Sequence, residues 1–86
     1  MKRAYASAAI DHLLKSNKSL EESCLDVGRA LNEKATTVEN WREQLRSKKL
    51  RNAEEAKQLY FSLANDQRDH KEVAKGLLEL LKEQYR

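Results

Sequence analysis

The stretch DVGRALNEKATTVENWREQL, Asp26 to Leu45, contains the pattern that decides the fold. Apolar residues follow helical spacing as far as Leu31, and Val38 and Trp41 resume that spacing after a polar interruption. Asn32 begins the interruption, and asparagine tolerates the left-handed backbone conformation that often ends a helix. The stretch therefore predicts two helices joined by a tight turn.

A glycine inside the first of these helices strengthens this prediction. Gly28 costs about 1 kcal/mol relative to alanine in a helix interior, so its presence there usually has a packing reason. Two helices that cross closely need a small residue at one position, and Gly28 meets that need. Leu31 then anchors the end of the first helix, while Val38 and Trp41 face inward from the second.

The rest of the chain predicts an all-α fold. It has 86 residues, no proline and two glycines, and strong helix formers dominate it. Ser19 and Glu22 form a capping box ahead of one helix, and Thr36 with Glu39 forms another. We expect one domain, residues 1–86, built as a small bundle of four to five helices.

Two boundaries are less sharply defined. Residues 37–64 could form one helix or two, and a possible cap at Asn52 favours two. An apolar stripe predicts a last helix over residues 67–85, and its width suggests that part of it is left for a partner.

Composition argues against several classes of function. At 86 residues the chain is too small for a deep pocket between two layers, and no nucleophile–base pairing or phosphate-binding glycine loop is visible, so we expect no enzyme. Cys24 is the only cysteine, and His12 and His70 have no His or Cys at i+3 or i+4, so we expect no metal, no cofactor and no disulfide. No apolar run approaches the roughly 18 residues of a membrane span. A cytoplasmic location with no membrane association is the expectation.

The net charge of +3 is unevenly distributed. Residues 36–51 hold five basic residues against two acidic ones, and residues 1–18 hold four against one. Such clusters attract polyanions, whereas an ordinary solvated helix face is the alternative interpretation of so short a run.

The stretch from Leu20 to Leu45 resembles the helix-turn-helix of insertion-sequence transposase subunits and small phage or plasmid regulators. The matching positions are Val27, Gly28, Leu31, Asn32, Thr36, Thr37, Val38 and Trp41. The chain departs from that pattern at Glu33, where the family has an apolar residue, and at Lys34, where it has a serine cap. Glu39 and Glu43 also lie on the second helix, where each would repel phosphate.

The resemblance implies a regulator that reads duplex DNA with the helix starting near Thr36, placed in the major groove. The residues implied to contact bases are Lys34, Thr36, Thr37, Asn40 and Gln44. The residues implied to contact phosphates are Arg29, Arg42, Arg46, Lys48, Lys49 and Arg51. Lys2 and Arg3 would form a flexible basic arm.

A homodimer is expected because a single module of this size has limited affinity for DNA. The predicted dimer or partner interface is the apolar stripe of the last helix, namely Val73, Leu77, Leu80 and Leu81. The alternative function is a helical protein-interaction module that binds or inhibits a larger partner. RNA binding by the same basic faces is a third hypothesis.

Overall fold

The structure, a computed structural model, describes residues 2–47 and 54–85, and these residues form five α-helices and no strand. The helices are α1 (Lys2–Lys15), α2 (Leu20–Leu31), α3 (Ala35–Arg46), α4 (Glu54–Ala64) and α5 (His70–Gln84). The predicted all-α bundle is therefore confirmed. The described residues between 37 and 64 belong to two helices, α3 and α4, and the possible cap at Asn52 lies outside the described residues.

Helix α1 is the centre of the bundle and contacts each of the other four helices. Ala4 and every residue from Ala6 to Leu13 are buried. Four of these are alanines, and their small side chains let neighbouring helices approach closely on several sides. A helix that is buried all round is typical of a bundle core. The core is completed by side chains that include Val27, Trp41 and Tyr60.

An asparagine follows each of the first two helices, and the one after α2, Asn32, is the one predicted. Asn17 and Asn32 have positive φ, 71° and 58°, and each lies in the turn directly after its helix. The next helix after Asn17 is capped by Ser19, whose hydroxyl accepts a hydrogen bond from the Glu22 amide at 3.1 Å. Side-chain oxygens at this position satisfy amides that have no partner within the helix.

The second predicted capping box is wrong. Helix α3 begins at Ala35, one residue before Thr36, and its N-cap is Lys34, which makes no side-chain cap hydrogen bond. The helix begins two residues earlier than a Thr36 cap predicts, because the turn that starts at the left-handed Asn32 is only three residues long.

The structure also corrects the predicted interface on the last helix. This helix starts at His70, behind an Asp69 cap, and Leu77 and Leu81 are 8% and 0% exposed. Both belong to the core, because α5 packs against the central helix along this stripe. Val73 is half-buried against the same core, and Leu80 is half-buried. The apolar stripe thus stabilises the bundle itself and leaves little surface for a partner.

None of the described helices is long and apolar enough to cross a membrane.

Candidate nucleic-acid interface

The outer face of α3 carries a stripe of uncharged polar side chains. Thr36, Asn40 and Gln44 are all exposed, and their spacing of four residues places them on one side of the helix. Lys34 is exposed just ahead of the helix, whereas Thr37 is half-buried beside it. Four of the five predicted base-contacting residues therefore lie at the surface on one side of α3 and its entry turn.

The opposite face of α3 fixes the helix on the bundle. Val38 and Leu45 are 0% and 2% exposed, and Trp41 between them is 9% exposed. These positions recur at intervals of three and four residues, so they form a continuous apolar stripe. A helix anchored in this way presents its polar stripe in a fixed orientation.

The turn between α2 and α3 is set by close backbone packing around Gly28. The Glu33 amide donates to the Gly28 carbonyl at 2.8 Å, and the Asn32 amide donates to the Arg29 carbonyl at 3.4 Å. A Cβ added to Gly28 would lie 2.6 Å from the Glu33 carbonyl oxygen and 3.5 Å from the Ala35 nitrogen. Glycine is thus required at position 28, as predicted. The prediction was based on a close crossing of two helices, whereas the backbone that Gly28 contacts is that of the turn and the first residue of α3.

The first two basic residues do not form a flexible arm. Helix α1 begins at Lys2, and both Lys2 and Arg3 lie over the Trp41 ring, with Nζ at 5.3 Å and Cζ at 5.7 Å from its centroid. Cations at such distances are attracted to the face of the indole ring. The two residues therefore place positive charge in fixed positions beside α3.

The predicted phosphate-contacting residues have different surroundings. Arg29 is exposed on α2, in agreement with a surface role. Arg42 is half-buried and its Nε donates to the buried carboxylate of Asp11 at 2.7 Å, so this ion pair already holds its guanidinium. Arg46 is exposed at the end of α3, with Nη1 3.4 Å from the Tyr60 hydroxyl. Lys48, Lys49 and Arg51 lie outside the described residues.

The Asp11 carboxylate that holds Arg42 also joins α1 to α4. The Tyr60 hydroxyl donates to the second oxygen of Asp11, and both side chains are buried. Burial raises the pKa of the Tyr60 phenol above its usual value of 10.0, and the hydrogen bond to Asp11 raises it further. A buried charge needs such partners, since an unpaired one is strongly destabilising. This network locks α3 to the rest of the bundle.

Acidic side chains border the polar stripe. Glu33 and Glu43 are exposed, and Glu39 is half-buried. Each would repel a nearby phosphate, so the stripe is suited to contact base edges more than the DNA backbone. A glutamate on a recognition helix can also accept a hydrogen bond from the cytosine amino group.

The fold brings together two histidines that are isolated in the sequence. The Nδ1 atoms of His12 and His70 are 2.9 Å apart, and Nε2 of His12 lies 2.7 Å from the Leu63 carbonyl oxygen. Because Nε2–H of His12 donates to that carbonyl, its Nδ1 accepts the hydrogen bond from Nδ1–H of His70. Within the described ranges no group of three or more His, Cys, Asp or Glu side chains is arranged to hold a metal ion. The pair therefore joins α1 to the α4–α5 region as a hydrogen-bonded contact.

Cys24 is a core residue that belongs to the same cluster as Val27. It is 1% exposed, and burial raises the pKa of its thiol above the usual 9.0. A buried thiol with a raised pKa is a poor nucleophile, because the thiolate is the reactive form.

Comparisons of the chain with protein-family models, with curated proteins and with solved structures gave no match.

Proposed function

We propose that this chain is a small regulator that binds duplex DNA, with α3 lying in the major groove. The observation that supports this most directly is the polar stripe of Thr36, Asn40 and Gln44 on a helix anchored by its opposite face. Amide side chains can pair bidentately with adenine and hydroxyls can pair with several bases, so this composition suits contact with base edges.

The basic residues that flank α3 support the same proposal. Lys2 and Arg3 lie over Trp41, and Arg46 is exposed at the end of α3. Phosphate contacts of this kind fix the register of a protein on DNA without reading sequence. We include a homodimer in the proposal, because two modules on a two-fold site give the affinity that one module lacks.

The first test measures whether duplex DNA binds at all. Fluorescence anisotropy of a labelled random duplex should rise with protein at about 50 mM salt and rise less at higher salt, since phosphate contacts release counterions. Arg46→Ala should reduce the slope of log affinity against log salt by about 1. Light scattering on the complex gives the number of copies bound. Absence of binding at low salt would overturn the proposal.

The second test asks whether α3 reads sequence. A duplex selected from a randomised pool provides the probe, and Asn40→Ala or Gln44→Ala should each weaken its binding by about 1–3 kcal/mol. Gln58→Ala is the matched control, because Gln58 is exposed on α4 away from the stripe. Equal losses for Gln44→Ala and Gln58→Ala would contradict the assignment of α3.

A further inference from the structure

A second surface, on α5, combines lysines with an apolar strip. Lys71, Lys75 and Lys82 are exposed, and half-buried Leu78 lies among them. Their spacing of i, i+4, i+7 and i+11 puts all four on one face of the helix. The lysines are not visible as a basic run in the sequence, because three residues separate Lys71 from Lys75 and six separate Lys75 from Lys82.

A groove lies along this face. Its floor is formed by Leu13 from the central helix with Ala74 and Leu78 from α5, and its volume is about 390 Å³. We call this surface the α5 groove and define it by Leu13, Lys71, Ala74, Lys75, Leu78 and Lys82. A second hollow of about 390 Å³ continues from Leu78 and Lys82 toward Arg29 and Ala30 on α2.

The charge of the α5 groove is predominantly positive. The ion pairs of the described residues are Lys18–Asp26, Arg42–Asp11 and Arg68–Asp66, so none of the three α5 lysines takes part in one. Exposed Arg29 adds a further cation at one end. The acidic residues are Glu79 on the rim of the groove and Asp26, which pairs with Lys18, in the second hollow. Lys71 and Lys75 are four residues apart on a helix, an arrangement in which like charges are mildly destabilising. This cost is compensated if an anionic partner binds there.

We propose that the α5 groove binds an acidic amphipathic helix of a partner protein. The twelve residues from Lys71 to Lys82 span about 16 Å of helix, which matches roughly three turns of a docked helix. An amphipathic helix would place an aliphatic side chain on half-buried Leu78, above Leu13 and Ala74, which are 6% and 1% exposed, and acidic side chains beside the lysines. Charge complementarity of this kind speeds association and sets the orientation of the partner.

The shape of the groove favours a protein helix over other polyanions. A DNA backbone needs cations but gains nothing from an apolar floor, whereas aliphatic side chains need that floor to leave water. A lipid surface is broad and flat, and the lysines line a concave surface between helices. The docked helix satisfies both the charge and the apolar strip.

The probe is a fluorescein-labelled synthetic helix of about 16 residues, with leucines at i, i+4 and i+7 and glutamates on both sides of that stripe. Anisotropy should show saturable one-to-one binding to the full chain. Lys75→Glu should weaken it by about tenfold or more, because it replaces an attraction with a repulsion. A scrambled peptide of the same composition should bind much more weakly than the probe.

The matched control is Lys34→Glu, the same charge reversal at an exposed lysine ahead of α3. It should leave peptide binding unchanged and weaken binding of the selected duplex, whereas Lys75→Glu should do the reverse. The two variants therefore distinguish a failure of peptide binding by the α5 groove from a failure of DNA binding by α3. Circular dichroism checks that both variants keep their helix content.

Three outcomes would overturn this proposal. The first is no peptide binding at low salt, or equal binding of the scrambled peptide. The second is binding to anionic phospholipid vesicles that is stronger than peptide binding and lost in Lys75→Glu, which would assign the groove to a membrane. The third is self-association without any peptide that is lost in Lys75→Glu, measured by sedimentation equilibrium, which would assign it to a second copy of the chain.

Discussion

The turns after α1 and α2 are closed by the same hydrogen bonds but differ in what they require of the preceding helix. In the first, the Lys18 amide donates to the Leu13 carbonyl at 3.2 Å, and in the second the Glu33 amide donates to the Gly28 carbonyl at 2.8 Å. The asparagine just before each of these amides has positive φ. A leucine therefore occupies in one turn the position that glycine occupies in the other.

Loop length explains this difference. Four residues, 16–19, separate α1 from α2, whereas three residues, 32–34, separate α2 from α3. The shorter loop brings the Glu33 carbonyl back over α2, where it would lie 2.6 Å from a Cβ at position 28. Glycine is thus demanded by the path of the chain after the turn and not by the left-handed asparagine.

Among the variants that test this comparison, Gly28→Ala is expected to lose the most stability. The added Cβ meets a backbone carbonyl, which cannot move without shifting the start of α3. We expect a loss of about 2 kcal/mol in the free energy of unfolding, as for other overpacked sites. Urea denaturation followed by circular dichroism measures it.

Gly76→Ala is the matched control, because an added Cβ at Gly76 meets nothing within 4 Å. Alanine has the higher helix propensity, so this variant should gain about 0.5–1 kcal/mol of stability. A Gly28→Ala variant as stable as Gly76→Ala would contradict the close approach of the turn.

A smaller loss of stability, similar at the two positions, is expected when either asparagine is replaced by alanine. Asn17→Ala and Asn32→Ala should each lose about 1 kcal/mol, because alanine lacks the side-chain hydrogen bonding that makes the left-handed conformation tolerable. Asn17→Gly and Asn32→Gly should stay close to the original stability, since glycine adopts this conformation readily. Thermal and urea unfolding measure all four variants. A loss confined to Asn32→Ala would show that the two turns differ in backbone strain as well as in loop length.

The sequence predicts features that depend on residues close together in the chain. The Ser19 cap, the asparagine turns and the glycine requirement all involve groups within six residues of each other, where local geometry decides the outcome. The choice of core positions on α3 was predicted for the same reason, because the helical period alone puts Val38 and Trp41 on one side.

The features that sequence could not predict join distant residues. The Arg42–Asp11 ion pair spans 31 residues and the His12–His70 contact spans 58. Periodicity shows which side of α5 is apolar but not whether the bundle or a partner covers it, and for this reason Leu77 and Leu81 were assigned to the wrong role. The α5 groove is not visible in the sequence because its lysines do not form a basic run and Leu13 of its floor comes from α1.

The smallest effect is expected in the turn between α4 and α5. A charged pair, Asp66 and Arg68, stabilises this turn, whereas a left-handed asparagine follows α1 and α2. The Asp66 carboxylate accepts hydrogen bonds from the backbone amide and the guanidinium of Arg68, and these lower the pKa of Asp66 from 3.8 to about 2. A carboxylate with a lowered folded-state pKa contributes stability that is complete above about 4 and is lost as pH falls toward 2. The contribution is small because the pair is exposed to solvent. A pH titration followed by carboxyl carbon NMR should therefore give an Asp66 titration midpoint near 2, and Arg68→Gln should return that midpoint toward 3.8. An unchanged midpoint in Arg68→Gln would show that Arg68 does not hold this turn.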